Sequence, residues 1–217
     1  MPTTASKRAP AALTAQELYD RFRFLDPLPV PPVMKPRAGK LRLSQVNKMV
    51  RLHSKLPKTA VWSYDDTAKP SPDTMLGPTI VVRSGQPVDV EFTNRLSGPL
   101  PLKAVQADYP DDTSVNVPQN QAGSGGAVPV DGIDAVVPWT VTHLHGGLTA
   151  ADSDGWTENA SLNGQTQRCR YENAMDAAML WYHDHAMGTT GRNVAAGLFG
   201  AYLIRDDYER TLDLPRG

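Results

Sequence analysis

Apolar residues in this chain fall in short runs in which they alternate with polar residues, and turn-forming residues separate the runs. After Lys40, for example, Leu41, Leu43 and Val46 follow this pattern. Successive side chains of a strand point to opposite faces, so the alternation predicts strands that are buried on one side. We predict strands around residues 41–52, 61–64, 79–82, 88–93, 136–144, 177–183 and 197–204. Short, recurring strands with little helix indicate an all-β protein built as a Greek-key β-sandwich.

The spacing of these runs also predicts how some of them connect. Residues 79–82 and 88–93 are separated by Ser84-Gly85-Gln86, which is a turn signature and predicts a hairpin. Residues 97–137 are rich in proline and glycine, which predicts a long surface excursion between strands. Such an excursion is either a contact surface for another domain or subunit, as in a homo-oligomer, or a mobile loop.

The N-terminal 39 residues differ in composition from the rest and are predicted to be an extension. Residues 1–12 are small and polar, which is typical of disorder. Thr14 and Glu17 form a capping-box pattern, which predicts a helix that ends near Phe22. The prolines of residues 25–36 predict an extended arm, either packed on the domain or solvated. We assign 1–39 to this extension, 40–210 to the domain and 211–217 to the start of a linker.

Composition narrows the class of protein. The 217 residues suffice for one large β domain, and a net charge of −1 provides no basic surface for nucleic acid. Cys169 is the single cysteine, so an internal disulfide framework is excluded. The first residues are not followed by an apolar run, so we predict neither a secretory signal nor a membrane span, and a cytoplasmic location.

Histidine is the residue type that indicates a function. Four of the five histidines stand in two His-x-His units, Thr-His-Leu-His at 142–145 and Trp-Tyr-His-Asp-His at 181–185. Residues two apart in a strand share a face, so each unit aims two imidazoles the same way. Two such strands side by side would form a metal site. Imidazole suits zinc, copper, iron or nickel, whereas calcium and magnesium require oxygen ligands.

These two units, within 142–156 and 180–187, resemble the first two copper-binding motifs of multicopper oxidases. The likeness is to the branch that contains phenoxazinone synthase, the spore-coat laccases and bilirubin oxidase, and residues 76–94 and 193–206 extend it. The resemblance implies a cupredoxin-like fold and copper as the cofactor. It also implies the ligands of a trinuclear copper cluster: His143 for the type 2 ion, and His145, His183 and His185 for the type 3 pair.

The resemblance further implies that this chain holds half of the site. In the family, eight histidines from the first and last domains hold the cluster, and a His-Cys-His segment serves the type 1 copper that takes electrons from substrate. Cys169 has no histidine near it, so we interpret it as a buried structural thiol. We therefore expect the N-terminal portion of an oxidase that couples one-electron oxidation of phenols or o-aminophenols to reduction of dioxygen to water. The remaining cupredoxin domains would lie in the same polypeptide or in a cleaved partner chain.

Three acidic residues near the motifs need separate interpretations. Reduction of dioxygen to water consumes four protons, and a carboxylate beside the cluster can relay them. By resemblance Asp154 is that catalytic residue; the alternative is that Asp152 and Asp154 both hold the turn before Gly155. Asp184 lies between two histidines but faces away from them, which favours a supporting role over catalysis.

Two other classes of protein remain as alternatives. A stand-alone cupredoxin-like module would bind or store copper without oxidase activity, although storage proteins usually cluster the methionines that are scattered here. A cupin-type enzyme would have a glutamate three or four residues after its His-x-His unit. His145 is followed instead by Gly146, Gly147, Leu148 and Thr149.

Overall fold

The fold is known from a computed structural model that describes residues 14–71, 73–102, 132 and 135–213. The predicted disorder at 1–12, most of the predicted excursion at 97–137 and most of the predicted linker at 211–217 lie outside the described residues. Across the described part of the chain, neither helix has the length or apolar character required to cross a membrane.

Nine strands and two short helices make up the described structure. Helix α1 (Ala15–Phe22) comes first, and helix α2 (Thr190–Ala196) lies between the last two strands. The strands are β1 (Val33–Met34), β2 (Lys40–Val50), β3 (Thr59–Asp66), β4 (Thr79–Arg83), β5 (Val88–Asn94), β6 (Thr142–His145), β7 (Thr166–Tyr171), β8 (Ala178–Asp184) and β9 (Phe199–Arg205). A 3₁₀ helix at Glu209–Thr211 follows β9.

The strands form two mixed sheets that pack face to face. One sheet has the order β1-β4-β9-β8-β6, and the other has the order β3-β2-β5-β7. Aromatic side chains join the sheets: the ring of Tyr64 contacts that of Tyr182 edge-to-face at 5.1 Å, and Phe92 packs beside both. All three are fully buried. The predicted all-β sandwich is confirmed, and in strands such as β5 and β9 every second side chain is buried, which separates the core face from the outer face.

The predicted hairpin between β4 and β5 is wrong. Strand β4 pairs in parallel with β9, whereas β5 lies in the other sheet between β2 and β7. The intervening turn is bonded on both sides, since Ser84 N donates to Arg205 O and Gly85 N donates to Asn173 O. Alternation shows that a strand has one buried face. The same alternating pattern arises whether two strands pair edge to edge or face each other across a core, so it does not reveal which strands pair.

Strand β7 and helix α2 are among the elements that were not predicted from the sequence. In β7 only Cys169 and Tyr171 are buried, and its other side chains are polar, so the strand resembled a polar bend. Helix α2 is too short to show a helical period. Strand β6 is also shorter than predicted, because the chain before Thr142 makes only an isolated bridge between Thr140 and Ser161.

The N-terminal extension is anchored at two places. Thr14 and Glu17 form the predicted capping box of α1, with Glu17 N donating to Thr14 Oγ1 at 3.2 Å. His53 Nε2–H donates to Phe22 O at 2.8 Å. This histidine therefore has a hydrogen-bond partner in the extension, and it lies far in the sequence from the two His-x-His units. The arm is extended. Asp26 Oδ2 accepts from Ser54 N at 2.8 Å beside the first anchor, and β1 pairs with β4 at the second, while residues such as Leu28 stay exposed.

Candidate metal centre

The two His-x-His units lie on adjacent antiparallel strands, as predicted. His143 on β6 stands directly opposite His183 on β8, and His145 stands opposite Trp181. His185 follows the end of β8, and its backbone N donates to Val141 O at 2.7 Å. Paired residues share a face of the sheet, so the strand pairing brings the imidazoles of both units to the outer face.

The residues between the histidines point into the sandwich, which confirms the alternation. Leu144 stands opposite Tyr182, and both side chains are buried in the core. Asp184 is also fully buried. The core side chains fix the strands, and the imidazoles are carried on their opposite face.

The four imidazoles form one cluster around His143. The ring centroid of His143 lies 5.7 Å from that of His145, 5.6 Å from that of His183 and 5.2 Å from that of His185. Ring nitrogens of His143, His145 and His183 all lie within 4.8 Å of one another. His185 stacks on His183 at 5.6 Å but does not complete this group of ligand atoms. Three of the four predicted ligands are thus brought together, with the fourth alongside.

Backbone carbonyls set the protonation of two of the rings. His143 Nδ1 lies 2.6 Å from Asp154 O, and His183 Nδ1 lies 2.8 Å from Asp184 O. A carbonyl oxygen only accepts hydrogen bonds, so both Nδ1 atoms carry the proton and the Nε2 lone pairs are free. Imidazoles that bind metal normally donate their second N–H in this way.

His145 and His183 face each other across the cluster. His145 Nδ1 lies 3.2 Å from His183 Nε2, so in the metal-free chain the Nδ1–H of His145 donates to that lone pair. Binding of metal by both nitrogens would move the His145 proton to Nε2. Burial lowers the pKa of His183, and the neighbouring imidazoles add to this effect. Neutral rings with lone pairs aimed at one volume fit a copper or zinc ion.

The indole ring of Trp181 borders the cluster on the outer face of the sheet. The Trp181 ring lies 4.0 Å from His183 at an angle of 31°, and 5.3 Å from His145. Other apolar side chains are exposed, with Met179 on the same face of β8 at 75% and Trp156 at 64%. His183 is buried while His145 is exposed. The cluster is therefore held by the sheet on one side and open on the other.

Asp154 lies beside His143, in the turn after the first motif. Its Oδ1 is 3.5 Å from His143 Nδ1 and accepts a hydrogen bond from Thr149 Oγ1, while the side chain is half exposed. The turn needs Gly155, whose φ is +85° and whose added Cβ would lie 2.4 Å from Thr142 O. The position of Asp154 is compatible with both proton relay and turn formation.

Cys169 lies on β7, in the sheet that does not carry the histidines. It is buried, and burial raises the pKa of its thiol. Its environment agrees with the predicted structural thiol.

Two amide side chains support the motifs and were not identified from the sequence. Gln167 on β7 accepts from Thr142 N and donates to Thr142 O, both at 2.7 Å, so it clamps the backbone beside His143. Asn193 on α2 donates to Asp184 Oδ2 at 2.9 Å. Nothing in local sequence signals either contact, because the partners are brought together by the packing of elements.

Known proteins resemble this chain in sequence and structure. A family model described as multicopper oxidase matches residues 100–209. A laccase from Bacillus stratosphericus is 34% identical over 214 residues, covering 89% of this chain and 35% of that protein. A laccase from Bacillus subtilis is 32% identical over 206 residues, with the same two coverages. The structure of a laccase-like multicopper oxidase from Ochrobactrum sp. matches with a TM-score of 0.62 at 18% identity, covering 88% of this chain and 32% of that one.

The structural match confirms the cupredoxin-like sandwich. The sequence matches, in addition, show the family. The chain spans about a third of the length of the curated relatives that it matches. It belongs to the multicopper oxidase family.

Proposed function

We propose that this chain is the copper-binding portion of an oxidase and supplies half of the ligands of a trinuclear copper cluster. The observation that carries the proposal is the convergence of ring nitrogens from His143, His145 and His183 within 4.8 Å. His143 would hold the type 2 ion, and His145, His183 and His185 would hold the type 3 pair. Copper, when bound, accepts electrons one at a time and passes them to dioxygen.

The open side of the cluster supports a second half from elsewhere. Trp181, which packs on His183 and His145, is partly exposed, and Met179 is exposed two residues earlier on the same face of β8. An apolar patch beside polar groups is typical of an interface. We propose that another cupredoxin-like domain, in the same polypeptide or in a cleaved partner chain, covers this face and brings the remaining imidazoles. The greater length of the curated relatives agrees with this arrangement.

The family and the site together support the proposed reaction. Relatives named laccase support one-electron oxidation of phenols or o-aminophenols by the complete protein, coupled to reduction of dioxygen to water. Within this chain, Asp154 would relay protons, since its carboxylate is half exposed and lies 3.5 Å from His143 Nδ1. The Nδ1 hydrogen bonds of His143 and His183 would keep these rings oriented with their Nε2 lone pairs on the ions.

Metal analysis of matched histidine variants tests this proposal. The parent chain should bind copper in preference to zinc, and the double variant His143→Ala/His145→Ala should lose it, because two converging nitrogens are removed. His53→Ala is the control, since this histidine is bonded to Phe22 O on the N-terminal extension and should not affect copper content. Zinc at full occupancy in native material, or equal copper loss in the control, would contradict the proposal.

A further inference from the structure

Asp184 is a fully buried carboxylate that stands between two of the histidines. Burying a carboxylate is costly unless hydrogen bonds compensate for the lost water. Its Oδ1 accepts from Val141 N at 3.0 Å, and its Oδ2 accepts from Ala186 N at 3.2 Å and from Asn193 Nδ2 at 2.9 Å. Three donors from three parts of the chain thus meet at this one side chain.

These bonds join the two histidine-bearing segments. Val141 precedes His143 by two residues, and Ala186 directly follows His185. The backbone of Asp184 also takes part, because its carbonyl accepts the Nδ1–H of His183 at 2.8 Å. One residue therefore contacts both motifs and sets the tautomer of one of the imidazoles.

Helix α2 contacts the Asp184 carboxylate through the side chain of Asn193. Besides Asp184, Asn193 Nδ2 lies 3.0 Å from Trp139 O and 3.3 Å from Thr189 Oγ1. Thr189 Oγ1 in turn accepts from Trp139 Nε1 at 3.0 Å. These bonds connect helix α2 to the segment that leads into β6. The position of the Asp184 carboxylate is therefore fixed by the helix as well as by the histidine-bearing segments.

We propose that Asp184 is a positioning residue of the metal centre. Its carboxylate sets the spacing between the two His-x-His units through Val141 and Ala186, and its carbonyl holds His183 with the proton on Nδ1. The proposal rests on the copper-binding function proposed above. Residues that orient metal ligands typically contribute about 10- to 100-fold to metal affinity.

The variant Asp184→Asn, made in the full chain, tests the role. An amide keeps the size of the side chain but turns one acceptor into an NH₂ group that would face N–H donors, so one side of the bridge is lost. We expect Cu(II) binding, measured by competition with a chelator, to weaken about 10- to 100-fold. The backbone carbonyl of residue 184 is kept, but loss of one side of the bridge should displace the main chain that carries it and weaken its bond to His183 Nδ1. In the metal-free chain, nitrogen NMR signals of the His183 ring should then change from one tautomer to a mixture.

Asp65→Asn is the matched control. Asp65 is also a buried carboxylate, but it lies on β3 in the other sheet, pairs with Lys48 Nζ at 3.1 Å and accepts from Ser71 N at 2.8 Å. This variant should lose stability while its copper affinity and the His183 tautomer stay as in the parent. A general loss of stability would change the copper affinity and the His183 tautomer in both variants. Loss of positioning would change them in Asp184→Asn alone.

The outcomes separate this inference from the proposed function. A parent chain that binds no copper contradicts the proposed function, and the tautomer comparison then still decides the role of Asp184. Parental copper affinity and a parental His183 tautomer in Asp184→Asn overturn the inference. If that variant does not fold, Asn193→Ala replaces it: removing one of the three donors should weaken copper binding in the same direction, and an unchanged affinity overturns the inference.

Discussion

At the scale of single residues, backbone carbonyls rather than acidic side chains determine which ring nitrogen is protonated in His143 and His183. Asp154 and Asp184 each accept the Nδ1–H of a histidine through the main chain. The carboxylate of Asp154 is therefore not needed to orient His143, although it lies beside that ring. This separation allows orientation of the ligand and proton transfer to be tested independently.

If the proposed oxidase function is correct, replacing Asp154 by asparagine in the complete protein should reduce turnover and leave copper content intact. The backbone carbonyl that holds His143 is kept, while a group able to exchange protons is lost. Acid–base groups typically contribute about 10²- to 10⁴-fold to rate. Steady-state turnover and copper analysis on the same sample measure the two effects.

Asp152→Asn is the control for that experiment. Asp152 belongs to the same turn and accepts only from Ser153 Oγ at 3.1 Å among the described contacts of its side chain, so its turnover should match the parent. An equal fall of turnover in both variants would mean that the two aspartates serve the turn.

At the scale of elements, a glycine on β9 leaves space for a buried tyrosine on β8. Gly200 stands opposite Tyr182 in the pairing of these strands. The Tyr182 hydroxyl donates to Pro78 O at 2.7 Å, which links β8 to the chain that enters β4. An added Cβ at Gly200 would lie 2.3 Å from this hydroxyl oxygen. The glycine thus leaves room for the bond that holds the histidine-bearing strand in its sheet.

Gly200→Ala should therefore destabilise the domain. Overpacking of a buried site typically costs about 1–3 kcal/mol in the free energy of unfolding. Gly191→Ala is the comparison, since Gly191 lies in α2 with no described atom within 4 Å of its added Cβ. Alanine is favoured over glycine in a helix, so this change should be neutral or stabilising. Urea unfolding of both variants measures the difference, and equal stabilities would refute the steric explanation.

At the scale of the whole molecule, one sandwich has two different outer surfaces and a shared core. The outer face of one sheet carries the histidine cluster and exposed apolar side chains such as Met179. The other sheet contributes Cys169 to the core, where its Sγ accepts from Gln167 Nε2 at 3.3 Å. Gln167 also bonds the strand of the first motif, so the core and the metal centre are connected through one side chain.

The buried thiol predicts how stability depends on pH. Burial raises the pKa of Cys169 in the folded state, so the unfolded chain releases this proton at a lower pH than the folded chain. Its contribution to stability is present below the unfolded pKa of about 8.5 and decreases as pH rises beyond it, by at most about 1.4 kcal/mol per pH unit.

Cys169→Ala isolates this contribution from that of other titrating groups. The difference in the free energy of unfolding between parent and variant should be constant well below about pH 8.5 and should shrink as pH rises above about 8.5. Urea unfolding at a series of pH values measures it. A difference that does not change with pH would show that the thiol is equally acidic in the folded and unfolded chains.

The sequence by itself determined the faces on which side chains lie. The side chains of a strand repeat every two residues for local steric reasons. The spacing alone therefore predicted that His143 shares a face with His145, and His183 with His185. The capping box at Thr14 was equally local and was confirmed. The division into residues 1–39, 40–210 and 211–217, the cytoplasmic location and the oligomeric state stay predictions.

Only the tertiary structure decided which strands are neighbours and what supports the metal centre. Strands β4 and β5 follow each other in the chain yet lie in different sheets, because strand pairing depends on packing between distant segments that local alternation does not encode. Contacts from Gln167 and Asn193 to the motifs depend on the same packing. The position of each imidazole on its strand is therefore a local property, and the cluster that the imidazoles form is a property of the fold.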